Sequence, residues 1–293
     1  MQADISLIMP AFNRAYIIRC AIDSVVKQTH PNWELIIMDD GSSDNTEEVV
    51  RAYHDPRIKY FKQANAGPSA ARNNAIAHAT APWLAYLDTD NQLLPDFIGS
   101  MLSAFRTRPN AKYGIPKGRF TYELYAGEIL LELVDHSHQF PDKLTLADVF
   151  NRKINFDMNG FMHRRDIFGG DIGFDPALKG IEDWDLVLQM GNIYPDGFLY
   201  VPEFLVFYQR RYGTDGIMSG SSYIHRANEL ERIYRKHKDA PLMQTQTWYP
   251  QEVNEWIARE EQFKKDELPP AWLFPFPNHW PEHLKQKAAL SRQ

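Results

Sequence analysis

The first 115 residues alternate short apolar runs with amphipathic stretches, and this rhythm limits the possible folds more than any other feature of the chain. Residues 5–9, 33–38, 58–61 and 83–87 have the length and apolar content of buried strands. Between the first two, residues 15–28 carry Ile18, Ala21, Ile22, Val25 and Val26 at helical spacing. Asp44, with Glu47 three residues later, is a capping-box pattern that predicts a helix through His54, and Pro68 in a first turn predicts another over 68–79. Strand and helix in strict turn build an α/β fold with a mainly parallel, doubly wound sheet. Ligands of such sheets bind in the crevice beyond the carboxyl ends of the strands, which directs attention to the residues just after each strand.

Composition excludes several classes of function. A 293-residue chain that is 44% hydrophobic and 24% charged can fill one large domain or two closely packed halves. Its formal charge of -6 provides no general attraction for nucleic acid or an anionic membrane. Cys20 is the one cysteine and falls among the apolar positions of the first expected helix, so no disulfide framework or cysteine metal site can form within the chain. The ten histidines lack zinc-site spacing, and neither a Gly-Lys-Ser/Thr phosphate loop nor a Gly-x-Ser-x-Gly elbow is present. With no basic, apolar leader and no run of about 20 apolar residues, the expectation is a cytoplasmic protein without a membrane span.

Further along, residues 116–212 are less regular and rich in aromatics, with glycines from Gly169 to Gly173 and a helix start at Glu182. Residues 213–293 hold charged helical stretches at 227–238 and 251–265. They end in a tail with five prolines between Pro269 and Pro281, interleaved with Trp272, Phe274, Phe276 and Trp280.

Three strand ends carry the chemistry: Pro10-Ala11-Phe12-Asn13, Asp39-Asp40-Gly41-Ser42-Ser43-Asp44 and Asp88-Thr89-Asp90-Asn91. With Gly67-Pro68-Ser69-Ala70-Ala71-Arg72-Asn73 and Ile181-Glu182-Asp183-Trp184-Asp185, they resemble in order, spacing and context the family 2 inverting glycosyltransferases of GT-A fold, over roughly residues 4–212. The resemblance implies a donor-binding half at 1–115, an acceptor-binding half at 116–212 and a C-terminal helical extension at 213–293.

It also implies roles for particular residues. Pro10, Phe12, Asn13 and Asp40 hold the nucleoside, where a carboxylate suits the imide N–H of a uracil-type base and an aromatic face suits stacking. Gly67 and Arg72 belong to the donor site, since a guanidinium fork matches a diphosphate. Asp88, Thr89 and Asp90 are the DxD motif: Asp88 faces the ribose or the waters of the metal, and Asp90 ligates Mn²⁺ or Mg²⁺, hard ions that prefer oxygen ligands. Asn91 departs from the further acidic residue of many relatives.

In the same resemblance Asp183 is the base that takes a proton from the acceptor hydroxyl, with Glu182 and Trp184 in the acceptor pocket. Residues 162–165 and 208–211 resemble stretches near the donor diphosphate. Arg211 or Tyr212 stands where many relatives place a metal-reaching histidine. The implied partners are a nucleotide sugar, of UDP or dTDP type, and a glycan or lipid-linked saccharide, in surface polysaccharide synthesis. Neither the Gln-x-x-Arg-Trp motif nor the spans of processive synthases are present, and a catalytically silent sugar-binding module is the alternative. The aromatic tail either covers the protein's own apolar surface, the favoured reading, or makes peripheral contact with the inner face of the membrane.

Overall fold

The computed structural model describes residues 2–126, 129–135, 140–150, 157–212 and 223–244, together with residues 254 and 258. Strands β1 (Ile5–Ala11) and β2 (Trp33–Asp39) are buried along nearly their whole length, which explains why they read as continuous apolar runs rather than alternating ones. They pair in parallel from Ile5 opposite Trp33 to Ala11 opposite Asp39. β3 (Ile58–Lys62) adds in parallel beyond β2, and β4 (Trp83–Tyr86) adds in parallel on the other side of β1. The chain therefore winds outward from β1 to β3 and returns to β4, and the direction reverses between β1 and β4. A crevice opens at such a reversal, beyond the carboxyl ends of the two strands.

Helices α1 (Ile18–Val26), α2 (Thr46–Arg51) and α3 (Pro68–Ala77) make the crossovers. α1 is shorter than the apolar spacing predicts, and Cys20 lies on its exposed side rather than among the buried residues Ile18, Ala21, Ile22 and Val25. The capping box over Asp44 and Glu47 does not form as expected. Asp44 accepts from both the amide and the hydroxyl of Thr46, so α2 starts one residue later than expected, at Thr46, and Glu47 pairs with Arg51 instead of reaching back.

Beyond β4 come β5 (Gln92–Leu93), α4 (Phe97–Thr107), β6 (Tyr113–Ala126), β7 (Ile129–Asp135), α5 (Leu146–Phe150) and β8 (Met162–Arg164). They are followed by α6 (Glu182–Ile193), β9 (Phe198–Tyr212), α7 (Tyr223–His237) and α8 (Pro241–Gln244). Among the described residues the sheet has nine strands in the order β3-β2-β1-β4-β8-β6-β9-β5, with β7 on β6. β8 runs antiparallel to both β4 and β6, whereas β9 is parallel to β6, so the parallel winding belongs to the first half and the second half is mixed. Residue 115 falls inside β6, and one hydrophobic core runs from Ile5 to Met243. α7 begins four residues before the charged stretch read at 227–238 and ends at His237, one residue short of its end. Apart from residues 254 and 258, both helical, the expected helix at 251–265 lies outside the described residues, as does the aromatic tail.

One charged group sits under the parallel sheet. Glu34 on β2 accepts from Ser6 Oγ at 2.5 Å, Lys59 Nζ at 2.6 Å and the Thr80 amide at 2.7 Å. Burial raises its pKa, but these donors outweigh burial and hold it down to about 2. A carboxylate with a depressed folded pKa contributes stability above its unfolded pKa, and that contribution fades as pH falls from about 4.5 toward 2. Glu34→Gln is therefore expected to cost roughly 2 to 3 kcal/mol at pH 7, with the deficit shrinking through that window, as urea melts across pH will read.

Candidate active site

Loops from β1, β2 and β4 meet α3 and the start of α6 at the crevice. Asn13, at φ 53°, accepts the Ser43 amide at 2.8 Å on Oδ1, and its own amide donates to Ser42 Oγ at 2.8 Å. It clips the loop after β1 to the loop after β2 and leaves Phe12 45% exposed at the rim, beside the half-buried Pro10.

Asp40 is buried. Its carboxylate accepts from Gln63 Nε2 at 2.7 Å and from the amides of Ala66 and Gly67 at 2.9 and 2.8 Å. It thus folds the loop that leads into α3. Gly67, at φ 89°, is the turn that sets Pro68 in the first position of α3, a backbone conformation that suits glycine. A carboxylate offers about four lone-pair directions, and three are taken here. Asp39 serves the fold, accepting the Ser42 amide at 2.7 Å and the Tyr60 hydroxyl.

Arg72 is the centre of the arrangement. Carried on α3 and only 4% exposed, it donates through Nη1 to Glu182 Oε1 at 2.6 Å and through Nη2 to Asp88 Oδ1 at 2.8 Å. The Phe174 ring lies 5.5 Å from its guanidinium carbon, and its buried Nε has no hydrogen-bond partner in the structure. Burial works against the charge, but Asp88 and Glu182 more than offset it and hold Arg72 firmly protonated. The Asp88–Asp90 loop and the acidic pair of α6 are joined through one cation.

Asp88 is further gripped by Asn159, whose Oδ1 accepts the Asp88 amide at 2.7 Å and whose Nδ2 donates to Asp88 Oδ2 at 3.2 Å. Thr89 is buried. Asp90 is half-buried and accepts from Asn91 Nδ2 at 2.8 Å, while Asn91 Oδ1 accepts the Gln209 amide at 3.0 Å. The departure from an acidic residue at 91 thus has a use: an amide can bind Asp90 and β9 at once, which a carboxylate could not.

Asp183 occupies the first turn of α6 and accepts the Trp184 amide at 2.7 Å. Burial, and after it the adjacent charge of Glu182 with a lesser part from Asp157, pushes its pKa well above the usual carboxylate range, against the opposing pull of the Trp184 amide and Arg72. It nevertheless keeps part of its surface open. Such a carboxylate can accept a proton from a bound hydroxyl. Trp184 is buried, so its exposed contribution is small.

Asp185 is fully buried, yet bonds from His237 and Lys236 keep its pKa below the usual range despite burial. It belongs to the packing of α6 on α7.

The stretch 162–165 departs from its expected place. Because β8 is antiparallel to β4, Arg164 sits opposite Trp83 at the amino end of β4, away from the crevice, and pairs with Asp166. Arg165 donates to the Ala79 carbonyl at 3.3 Å. His163 is buried, donates Nδ1–H to the Arg164 carbonyl and accepts the Tyr86 hydroxyl at 2.7 Å. Burial lowers its pKa to about 4. The side chains of Arg211 and Tyr212 lie outside the described residues. Asn159, Asp157 and Phe174 escaped the sequence reading. Asn159-Gly160 reads only as a turn, and nothing local marks it as a partner of Asp88.

The family model for glycosyl transferase family 2 matches residues 6–168, a span that runs from β1 through β8 and includes the Asp88–Asp90 loop. The chain belongs to that family, and its fold is of GT-A type. It is 29% identical over 252 residues to a putative colanic acid biosynthesis glycosyl transferase of Escherichia coli K12, covering 80% of this chain and 81% of that one. Over 88 residues it is 44% identical to an E. coli UDP-Glc:alpha-D-GlcNAc-diphosphoundecaprenol beta-1,3-glucosyltransferase, covering 30% of this chain and 35% of that protein. The alignment to an uncharacterised Rickettsia conorii glycosyltransferase spans 16% of its length.

Solved structures share the fold. S. aureus TarS 1–349 in complex with UDP-GlcNAc has TM-score 0.64 and 18% identity, covering 99% of this chain and 79% of that one. The Pyrobaculum calidifontis mannosyltransferase in complex with GDP-Man and Mn²⁺ has TM-score 0.60 and 17% identity, covering all of this chain and 81% of that one. Among the described residues no helix is long and apolar enough to cross a membrane.

Proposed function

We propose that the protein transfers a sugar from a nucleoside-diphosphate donor, of UDP or dTDP type, to a hydroxyl of a glycan or lipid-linked saccharide, with inversion, in the building of a surface polysaccharide. The observation that carries this reading is the Arg72 bridge, which sets the DxD loop and the acidic pair of α6 against each other across one crevice. The relatives named for UDP-Glc transfer and for colanic acid biosynthesis support the donor and the setting.

In this reading Phe12 stacks on the base and Asp40 accepts its imide N–H on the remaining lone pair. No cluster of three or more His, Cys, Asp or Glu forms a complete metal cage among the described residues. Asp88 and Asp90 suit a Mg²⁺ or Mn²⁺ that arrives with the donor, because diphosphate oxygens and water fill most of such a shell. The ion, when bound, neutralises charge on the leaving diphosphate. Asp183 takes the proton of the acceptor hydroxyl as its oxygen attacks the anomeric carbon. The bond to the diphosphate breaks on the opposite face, and the diphosphate leaves with the electron pair. Arg72 holds Asp88 and Glu182 in place throughout.

Asp90→Ala is expected to abolish Mn²⁺-dependent binding of UDP with little change in melting temperature, and unchanged calorimetric affinity for UDP plus Mn²⁺ would remove Asp90 from the metal site. The active form of the base is deprotonated and its pKa is raised, so turnover is expected to climb with pH along a limb lying above the ordinary carboxylate range. A limb near pH 4 in a rate profile would argue against Asp183.

A further inference from the structure

α7 lies beyond the residues that the family model matches, yet it is fastened to the helix that carries the acidic pair. Its buried face presents Ala227, Leu230, Ile233 and His237. Asp185, two residues after Asp183, meets His237 Nε2 at 2.6 Å on Oδ1 and accepts on Oδ2 from Lys236 Nζ at 2.7 Å and Gln189 Nε2 at 2.7 Å. Nearer the start of α7, Glu229 Oε1 accepts the Lys179 amide at 2.5 Å and Arg232 Nε donates to Asp175 Oδ2 at 3.0 Å. Both the loop that enters α6 and the first turn of α6 are thus tied to one external helix. A buried carboxylate satisfied by a lysine and a histidine adds little net stability, because desolvation offsets most of the attraction. It does fix the position of the backbone that carries it.

We propose that α7 is a brace for the base: the Asp185–Lys236–His237 cluster sets the first turn of α6 so that Asp183 faces the acceptor hydroxyl at working distance. Asp185, Lys236 and His237 are positioning residues, and their role rests on the reading of Asp183 as the base. A shift of about 1 Å in a reacting group costs up to a hundredfold in rate, so the brace acts on turnover and not on donor binding, which involves β1, β2 and β4. A loosened α6 also lets water reach Asp183 beside Glu182, Asp157 and Arg72, which moves the acid limb of the rate profile down toward the ordinary carboxylate range.

The test compares His237→Ala with His237→Gln, whose amide N–H can still donate to Asp185. The probe reaction is UDP release from UDP-glucose or UDP-N-acetylglucosamine with Mn²⁺, water serving as acceptor. His237→Ala is expected to lose about ten- to a hundredfold in turnover with unchanged UDP affinity and a lowered acid limb, and His237→Gln to recover most of the rate. Wild-type turnover and an unmoved limb in His237→Ala overturn the brace. If Asp183→Asn remains inactive in that case, the reading of the base survives alone. Hydrogen exchange over residues 182–188 decides the matter independently of turnover: faster exchange in His237→Ala is expected, and unchanged protection overturns the brace.

Discussion

Asp183→Asn is expected to lower turnover by about 10² to 10⁴ while leaving UDP affinity nearly unchanged, because the amide keeps the shape of the side chain and loses the proton acceptor. The same variant is expected to melt higher than wild type at pH 7. A carboxylate whose folded pKa is raised holds a proton in the folded state that the unfolded chain has released, so stability falls as pH rises through that window. Removing the charge recovers the loss above the window and gains nothing below about pH 4, where both states are protonated. Paired measurements of turnover and of melting temperature at two pH values therefore separate a base from a helix cap. A cap would lose stability and keep its rate. Retention of more than about a third of the turnover would remove Asp183 from the mechanism.

Arg72→Met is expected to have the largest effect on stability. The substitution preserves much of the side-chain length but leaves Glu182, which is buried, and Asp88 without their shared cation. Breaking a buried ion pair from one side costs about 3 to 5 kcal/mol, and the partial exposure of Asp88 places the expected loss near the lower end. The loss should depend on pH with a definite sign. Arg72 also pulls the raised pKa of Asp183 down, so without the guanidinium that carboxylate becomes still harder to ionise, and the deficit is greatest at neutral pH and shrinks as the pH falls to about 4. Arg72→Lys restores the charge but cannot bridge two carboxylates with a fork, and it should recover only part of the stability. Denaturant melts at the two pH values check both points, and a deficit under about 1 kcal/mol would show that the bridge is incidental.

The first half of the fold was readable because β1 and β2 are buried on both faces and the helices between the strands bury one stripe each. Local residues alone produce the signals at Ile5–Ala11, Trp33–Asp39 and Pro68–Ala77. β6 and β9 gave no comparable signal. They are long, interrupted by Gly114, Pro116, Gly118 and Pro202, and paired to each other across most of the second half of the chain, so what makes them strands is tertiary.

The site divides in the same way. Asp88, Asp90 and Asp183 stand at element ends where their position can be inferred, but the meeting of Arg72 with Glu182, 110 residues apart, is a property of the assembled fold. Asp40 shows how one residue can be expected for one reason and found with a second use: its carboxylate organises the loop before α3. Asp185, by contrast, has the same local signature as Asp183, acidic and in the first turn of α6. Only the packing of α7 separates a buried structural carboxylate from one that keeps an open face and a raised pKa.

In the proposed reaction a single displacement at the anomeric carbon, with Asp183 as base, inverts the configuration of the sugar. Early time points of proton NMR on the hydrolysis of α-linked UDP-glucose or UDP-N-acetylglucosamine, with Mn²⁺ and before the free sugar mutarotates, test it most directly. The β-anomer is expected to appear first, and Asp183→Asn is expected to abolish its appearance. Appearance of the α-anomer first, or an undiminished rate in Asp183→Asn, would contradict it.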